Sequence, residues 1–207
     1  MRIVIGTTVM VTIYFACIST ALGQENGADS ACEVFKNASP PDLVQYLNGV
    51  VPDDKNSDCV TLAIRKLGKE RYEPAITALV KLLDFRRPRT QDEKKGIFER
   101  PQSIDEVFPA ALALELIGKN ALPELLLAIE APSTSATAFQ NAVAVWMEAH
   151  KYERPKGVAL LKQEETKANS ETTKQKLRFA VQKALTYCGQ PDETACRQAA
   201  AAGASDR

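Results

Sequence analysis

The chain has one histidine and one tryptophan in 207 residues, and aromatic residues make up only 6% of it. A single histidine, His150, removes most catalytic triads and histidine-based metal cages together. The sequence contains no Gly-x-Ser-x-Gly elbow, no His-Glu-x-x-His pair, no phosphate loop and no dinucleotide fingerprint. Excess charge of either sign is also missing: 26 lysines and arginines balance 26 aspartates and glutamates. No net field therefore points to nucleic acid or an anionic membrane. The paired carboxylates Asp53-Asp54 and Asp92-Glu93 are adjacent in predicted loops, where neighbouring side chains do not converge, so no catalytic pair is assigned. No Cys-x-x-Cys occurs and His150 is distant from every cysteine, which argues against zinc. No cofactor, metal site or catalytic residue is expected, and the chain does not read as an enzyme.

Long apolar runs are scarce too, apart from one at the start. Arg2 precedes an apolar stretch from Ile3 to Ile18, and Ala21-Leu22-Gly23 places small residues before Gln24. This order predicts a secretory signal peptide over residues 1–23, cleaved near Gly23, with a secreted or periplasmic product. The stretch falls short of the roughly 20 residues that span a bilayer. A lipoprotein attached through Cys17 is disfavoured by the bulky Tyr14 and Phe15 before it. Removing Arg2 leaves the remainder one charge negative, and no second run is long enough to span a membrane.

Cleavage would leave four cysteines, Cys32, Cys59, Cys188 and Cys196, in an oxidising compartment, where disulfides are the default. Three pairings are possible. Cys32–Cys59 with Cys188–Cys196 is preferred because each pair then brackets one end of the chain. The sequon Asn37-Ala38-Ser39 is followed by Pro40, which argues against its use.

The punctuation is helical. Residues 24–56 read as a polar leader followed by a cap of two short helices. One helix spans about Ala31 to Asn37; the other starts after Pro40-Pro41, with Leu43, Val44 and Leu47 on one face. A turn-rich stretch follows from Val51 to Ser57. Val60, Ile64 and Leu67 then recur at helical spacing, with Ser57 or Asp58 expected to cap the start and Gly68 expected to end the helix in a left-handed conformation. Pro74 opens a second helix whose apolar face is Ile76, Leu79, Val80 and Leu83.

Fifty residues later the pattern returns. Leu62-Ala63-Ile64-Arg65-Lys66-Leu67-Gly68-Lys69 aligns with Leu112-Ala113-Leu114-Glu115-Leu116-Ile117-Gly118-Lys119, and the segment opened by Glu73-Pro74 aligns with that opened by Leu122-Pro123. Two weaker units follow. In one, Ala142–Trp146 pairs with Pro155–Leu161; in the other, Leu177–Tyr187 pairs with Pro191–Ala201. Trp146 is expected in the core, and His150 at a helix end where exposed carbonyls await partners.

Helix, glycine, short linker, proline, helix: these segments resemble HEAT repeats of the short bacterial (PBS-lyase-type) kind. The resemblance implies an all-α, right-handed α-solenoid of about four helical pairs over residues 57–201, with a disordered tail at 202–207. Each repeat buries its apolar face only against a neighbour. It also implies a scaffold for protein–protein interaction, with another protein of the cell envelope as the partner. The exposed second-helix positions Thr77, Lys81 and Glu124 would belong to the binding surface. The wide repeat spacing comes from an insertion, Arg86–Ser103, rich in arginine and lysine, with Ile97-Phe98 in its middle. Arg87, Arg89 and Phe98 of this insertion are added to the candidate surface. The alternatives are binding of a small molecule or envelope polymer, and, less favoured, a HEAT-like lyase-type enzyme.

Overall fold

The structure is a computed structural model that describes residues 32–89, 91–96 and 104–187, and every regular element among them is helical. The cap consists of α1 (Glu33–Asn37) and α2 (Pro40–Gly49). Pro40 and Pro41 open α2 where a missing amide proton costs nothing, and Leu43 and Leu47 bury one face of it. The turn that follows delivers the chain into α3 (Ser57–Lys69), on which Val60, Ile64 and Leu67 are fully buried as their spacing requires.

Capping differs from expectation. Neither Ser57 nor Asp58 caps α3: both lie inside its first turn, and the helix is entered from Asn56 without a side-chain cap. The Ser57 amide bonds to the Asp53 carbonyl instead, at 2.9 Å. Two ties fasten the cap to α3. Cys32 and Cys59 form a disulfide with a Cα–Cα distance of 5.0 Å. The Lys66 ammonium donates to the carbonyls of Lys36 and Ala38, both at 2.8 Å, where the end of α1 leaves acceptors unfilled. Cys188, Cys196 and the Pro191–Ala201 segment lie outside the described residues.

Gly68 does not end α3. It lies within the helix, fully covered, and a Cβ placed there would come within 2.6 Å of the Ala113 Cα. Its role is close approach between helices. The left-handed position falls to Arg71, at φ 51°. The Tyr72 amide bonds back to the Leu67 carbonyl and the Arg71 amide to Gly68, closing the helix by a Schellman pattern with arginine where glycine is usual. The matching Gly118 does sit at a helix end, at φ 82°.

Beyond α3, a 3₁₀ turn (Glu73–Ala75) leads into α4 (Ile76–Lys81). Two short helices, α5 (Gln91–Lys94) and α6 (Ile104–Val107), belong to the insertion and its exit. The second hairpin is α7 (Pro109–Ile117) and α8 (Leu122–Glu130), joined by a 3₁₀ turn (Gly118–Ala121). The hairpins meet chiefly through their first helices: α3 packs most extensively on α7, while α4 packs on α7 and somewhat less on α8. Leu67, Leu79, Leu83, Leu114 and Leu125 are buried between them, each contributing roughly 1.5–3 kcal/mol relative to an exposed side chain.

The chain continues as α9 (Ala136–Ala149), α10 (Arg154–Lys167) and α11 (Glu171–Leu185). Helix α9 is covered nearly all round and packs on both α7 and α8. Its Asn141 amide donates to the Leu83 carbonyl at 2.6 Å, which joins it to the first hairpin. The third unit departs from the expected pairing, since α10 packs chiefly on α11 and only lightly on α9. Helix α10 buries just Gly157, Val158 and Leu161, too little to make it an inner layer, and α11 takes the position against α8 and α9.

Candidate functional site

Lysine and arginine in the insertion are divided by what their surroundings offer. Arg87 turns inward. Its guanidinium grips both carboxylate oxygens of Glu93, at 2.9 and 2.5 Å, and also donates to the carbonyls of Pro88 and Glu106. Its amide bonds to the Val107 carbonyl at 3.0 Å. The ion pair is largely shielded from solvent, and the hydrogen bonds that the guanidinium donates to Glu93 push its pKa upward, further into permanent charge. Arg87 thus fastens the start of the insertion to its exit.

Arg86 and Arg89, on either side, and Lys94 on α5 instead line a cleft of about 630 Å³. The rest of the charged lining, its acidic wall, comes from a different segment: Asp53 and Asp54 from the turn before α3, and Asp58 from its first turn. Pro52, Phe85 and Pro88 complete the lining with apolar surface. The acidic turn is rigid by its own bonds. The Asp53 carboxylate accepts from the amides of Lys55 and Asn56, at 2.9 Å each, and the Asn56 side chain ties back to Asp53 and Val51. The carboxylate of Asp53 also helps hold the Tyr46 phenol protonated, after the larger effect of burial. Among the described residues, Arg86, Arg89, Lys94, Asp54 and Asp58 form no ion pair. Charges of both signs thus line one cleft without an ion pair between them.

Of the residues expected to contact a partner, only Arg89 lines this cleft. Arg87 is committed internally. Thr77 and Lys81 are exposed on α4 and Glu124 is half-buried on α8, away from the cleft lining; Phe98 lies outside the described residues. The acidic wall was legible as a turn-rich acidic stretch, yet nothing in the sequence brings it opposite the insertion. His150 and Trp146 are structural. The Trp146 indole donates to the Gly157 carbonyl at 3.0 Å, and His150 Nδ1 bonds to the Trp146 carbonyl at 2.8 Å at the end of α9. Among the described residues, no helix is long and apolar enough to cross a membrane, and no group of histidine, cysteine, aspartate or glutamate side chains could hold a metal ion. No family profile, curated protein or solved structure matches the chain.

Proposed function

We propose that the protein is an exported, non-catalytic helical-repeat scaffold of HEAT type, which binds another protein through the cleft between the acidic turn and the insertion. The observation that carries this reading is the cleft itself, where three cations and three carboxylates stand on walls fixed by internal hydrogen bonds. Preorganised charge of this kind steers encounter and selects partners at little ordering cost. Packing of the first helix of one hairpin on the first helix of the other, α3 on α7, supports the repeat reading, and the Cys32–Cys59 disulfide supports an oxidising compartment.

The test is crosslinking capture from the envelope fraction, with the full chain expressed for export and carrying a C-terminal tag. The control bait replaces Arg86 and Arg89 by glutamate. One protein enriched by the first bait and lost with the second fits the reading; equal recovery by both removes the cleft from it. N-terminal sequencing of the recovered bait should begin at Gln24, and an intact Met1 would remove the export step.

A second reading, uptake of a small amphipathic ligand, is favoured by one feature. A pocket of about 300 Å³ between α9 and α11 combines the apolar Ile104, Val143 and Tyr187 with the Lys183 ammonium. No protein enriched by either bait, with a thermal shift caused by small amphipathic anions, would select it.

A further inference from the structure

We infer that the cleft takes an extended peptide segment bearing a basic and an acidic side chain a few residues apart, the basic one set against Asp53, Asp54 and Asp58, and the acidic one against Arg86, Arg89 and Lys94. This rests on the scaffold reading above and names the chemistry of the partner.

The argument starts from what each wall does with its own charges. Arg87 and Glu93 neutralise each other and hold the insertion base in place, so Arg86 and Arg89 extend from anchored backbone. On the other wall, the Asx-type bonds of Asp53 and Asn56 fix the turn, while the carboxylates of Asp54 and Asp58 remain available. A uniformly anionic ligand would be attracted to one wall and repelled by the other, and a uniformly cationic ligand would meet the converse. Only an occupant carrying both signs gains on both walls, which is specificity through repulsion as well as attraction.

Size and lining select a peptide among dipolar ligands. The volume of about 630 Å³ falls within the roughly 300–1,000 Å³ of ligand clefts, and the charges are spread over six side chains from three segments of chain. Pro52, Phe85 and Pro88 supply an apolar surface against which an extended backbone and its intervening side chains can lie. The charges are at the surface, so the attraction is screened by salt.

The test is fluorescence anisotropy with the purified full chain and four labelled peptides of equal length: one alternating lysine and glutamate blocks, one acidic, one basic and one neutral. The mixed-charge peptide should bind at least about tenfold tighter than any of the others at low salt, and lose most of that margin near 0.5 M. Replacing Arg86, Arg89 and Lys94 together by glutamate makes both walls acidic. Preference should then pass to the basic peptide while the far-ultraviolet circular dichroism and cooperative melting stay those of the unaltered chain. Equal binding of all four peptides, tightest binding of a uniformly charged one by the unaltered chain, or an unchanged preference in the triple variant would each overturn the proposal. So would saturation by vesicles of a zwitterionic lipid that displaces the mixed-charge peptide. If the peptides fail while capture still yields a partner sensitive to R86E and R89E, the scaffold reading stands and only the peptide chemistry is lost.

Discussion

At Gly68 an added methyl would meet Ala113 backbone at 2.6 Å, whereas at Gly118 it would meet nothing within 4 Å. The two glycines align in the sequence repeat, yet one provides proximity and the other a conformation. Gly68→Ala gains about 1 kcal/mol of helix propensity but forces α3 and α7 apart, at a cost of roughly 1–3 kcal/mol, towards the upper end because the obstacle is backbone. A net fall in melting temperature is expected by thermal denaturation, partly reversed by adding Ala113→Gly. Gly118→Ala should also destabilise, by roughly 1–3 kcal/mol of backbone strain, and A113G should leave that loss untouched. Glu130 gives a pH-dependent test. Burial first, and the nearby Glu164 second, raise its carboxyl pKa above the ordinary value. A carboxylate with a raised folded-state pKa penalises the fold when ionised, and the penalty disappears as pH falls through the carboxylate range. Glu130→Gln should therefore raise the melting temperature at pH 7, with a gain that shrinks towards zero near pH 4. A gain that persists at low pH would exclude this cause.

Among the elements, the insertion shows how one side chain can organise a segment. Arg87 contacts Pro88 and Glu93 within the insertion and Glu106 just beyond its exit. Each hydrogen bond involving a charged group contributes about 1.5–3 kcal/mol when its partner would otherwise be left unsatisfied. Arg87→Ala should raise hydrogen exchange at the amides of residues 87 and 96 by at least about tenfold, with little change in global melting. Arg87→Lys should not restore protection, because an ammonium lacks the fork that grips both Glu93 oxygens. The helices themselves were largely legible in the sequence. Pro123 sits in the first turn of its helix as read, α2 starts at Pro40 rather than after Pro41, Pro74 falls in the 3₁₀ turn that leads into α4, and the spacing of Val60, Ile64 and Leu67 identified the buried face of α3. The end of α3 was misread because a glycine near a helix terminus signals both a left-handed cap and a close contact. Only the neighbouring helix decides between them.

At the scale of the whole molecule, the cap and the repeats are joined by the Cys32–Cys59 disulfide, which closes a loop of 27 positions. That loop contains the acidic wall of the cleft. On the chain-entropy account, closing it stabilises the fold by roughly 3–4 kcal/mol. Replacing both cysteines by serine should lower the thermal midpoint by several degrees and weaken ligand binding at the cleft. A reductant should lower the midpoint of the unaltered chain by at least as much. An unchanged midpoint in either experiment would show that the Lys66 bonds to Lys36 and Ala38 already suffice to hold the cap.

The sequence by itself determined the helices, the pairing of Cys32 with Cys59 as the preferred choice and the core place of Trp146. These depend on local signals: residue spacing along one helix, a proline without an amide proton, or two cysteines bracketing one end. Tertiary structure alone decided that α10 leans on α11, that Gly68 serves Ala113, and that Arg87 turns inward while Arg86 and Arg89 face the acidic turn. A side chain's role there depends on what stands opposite, and residues some thirty positions apart come to share one cleft only when the helices between them have packed.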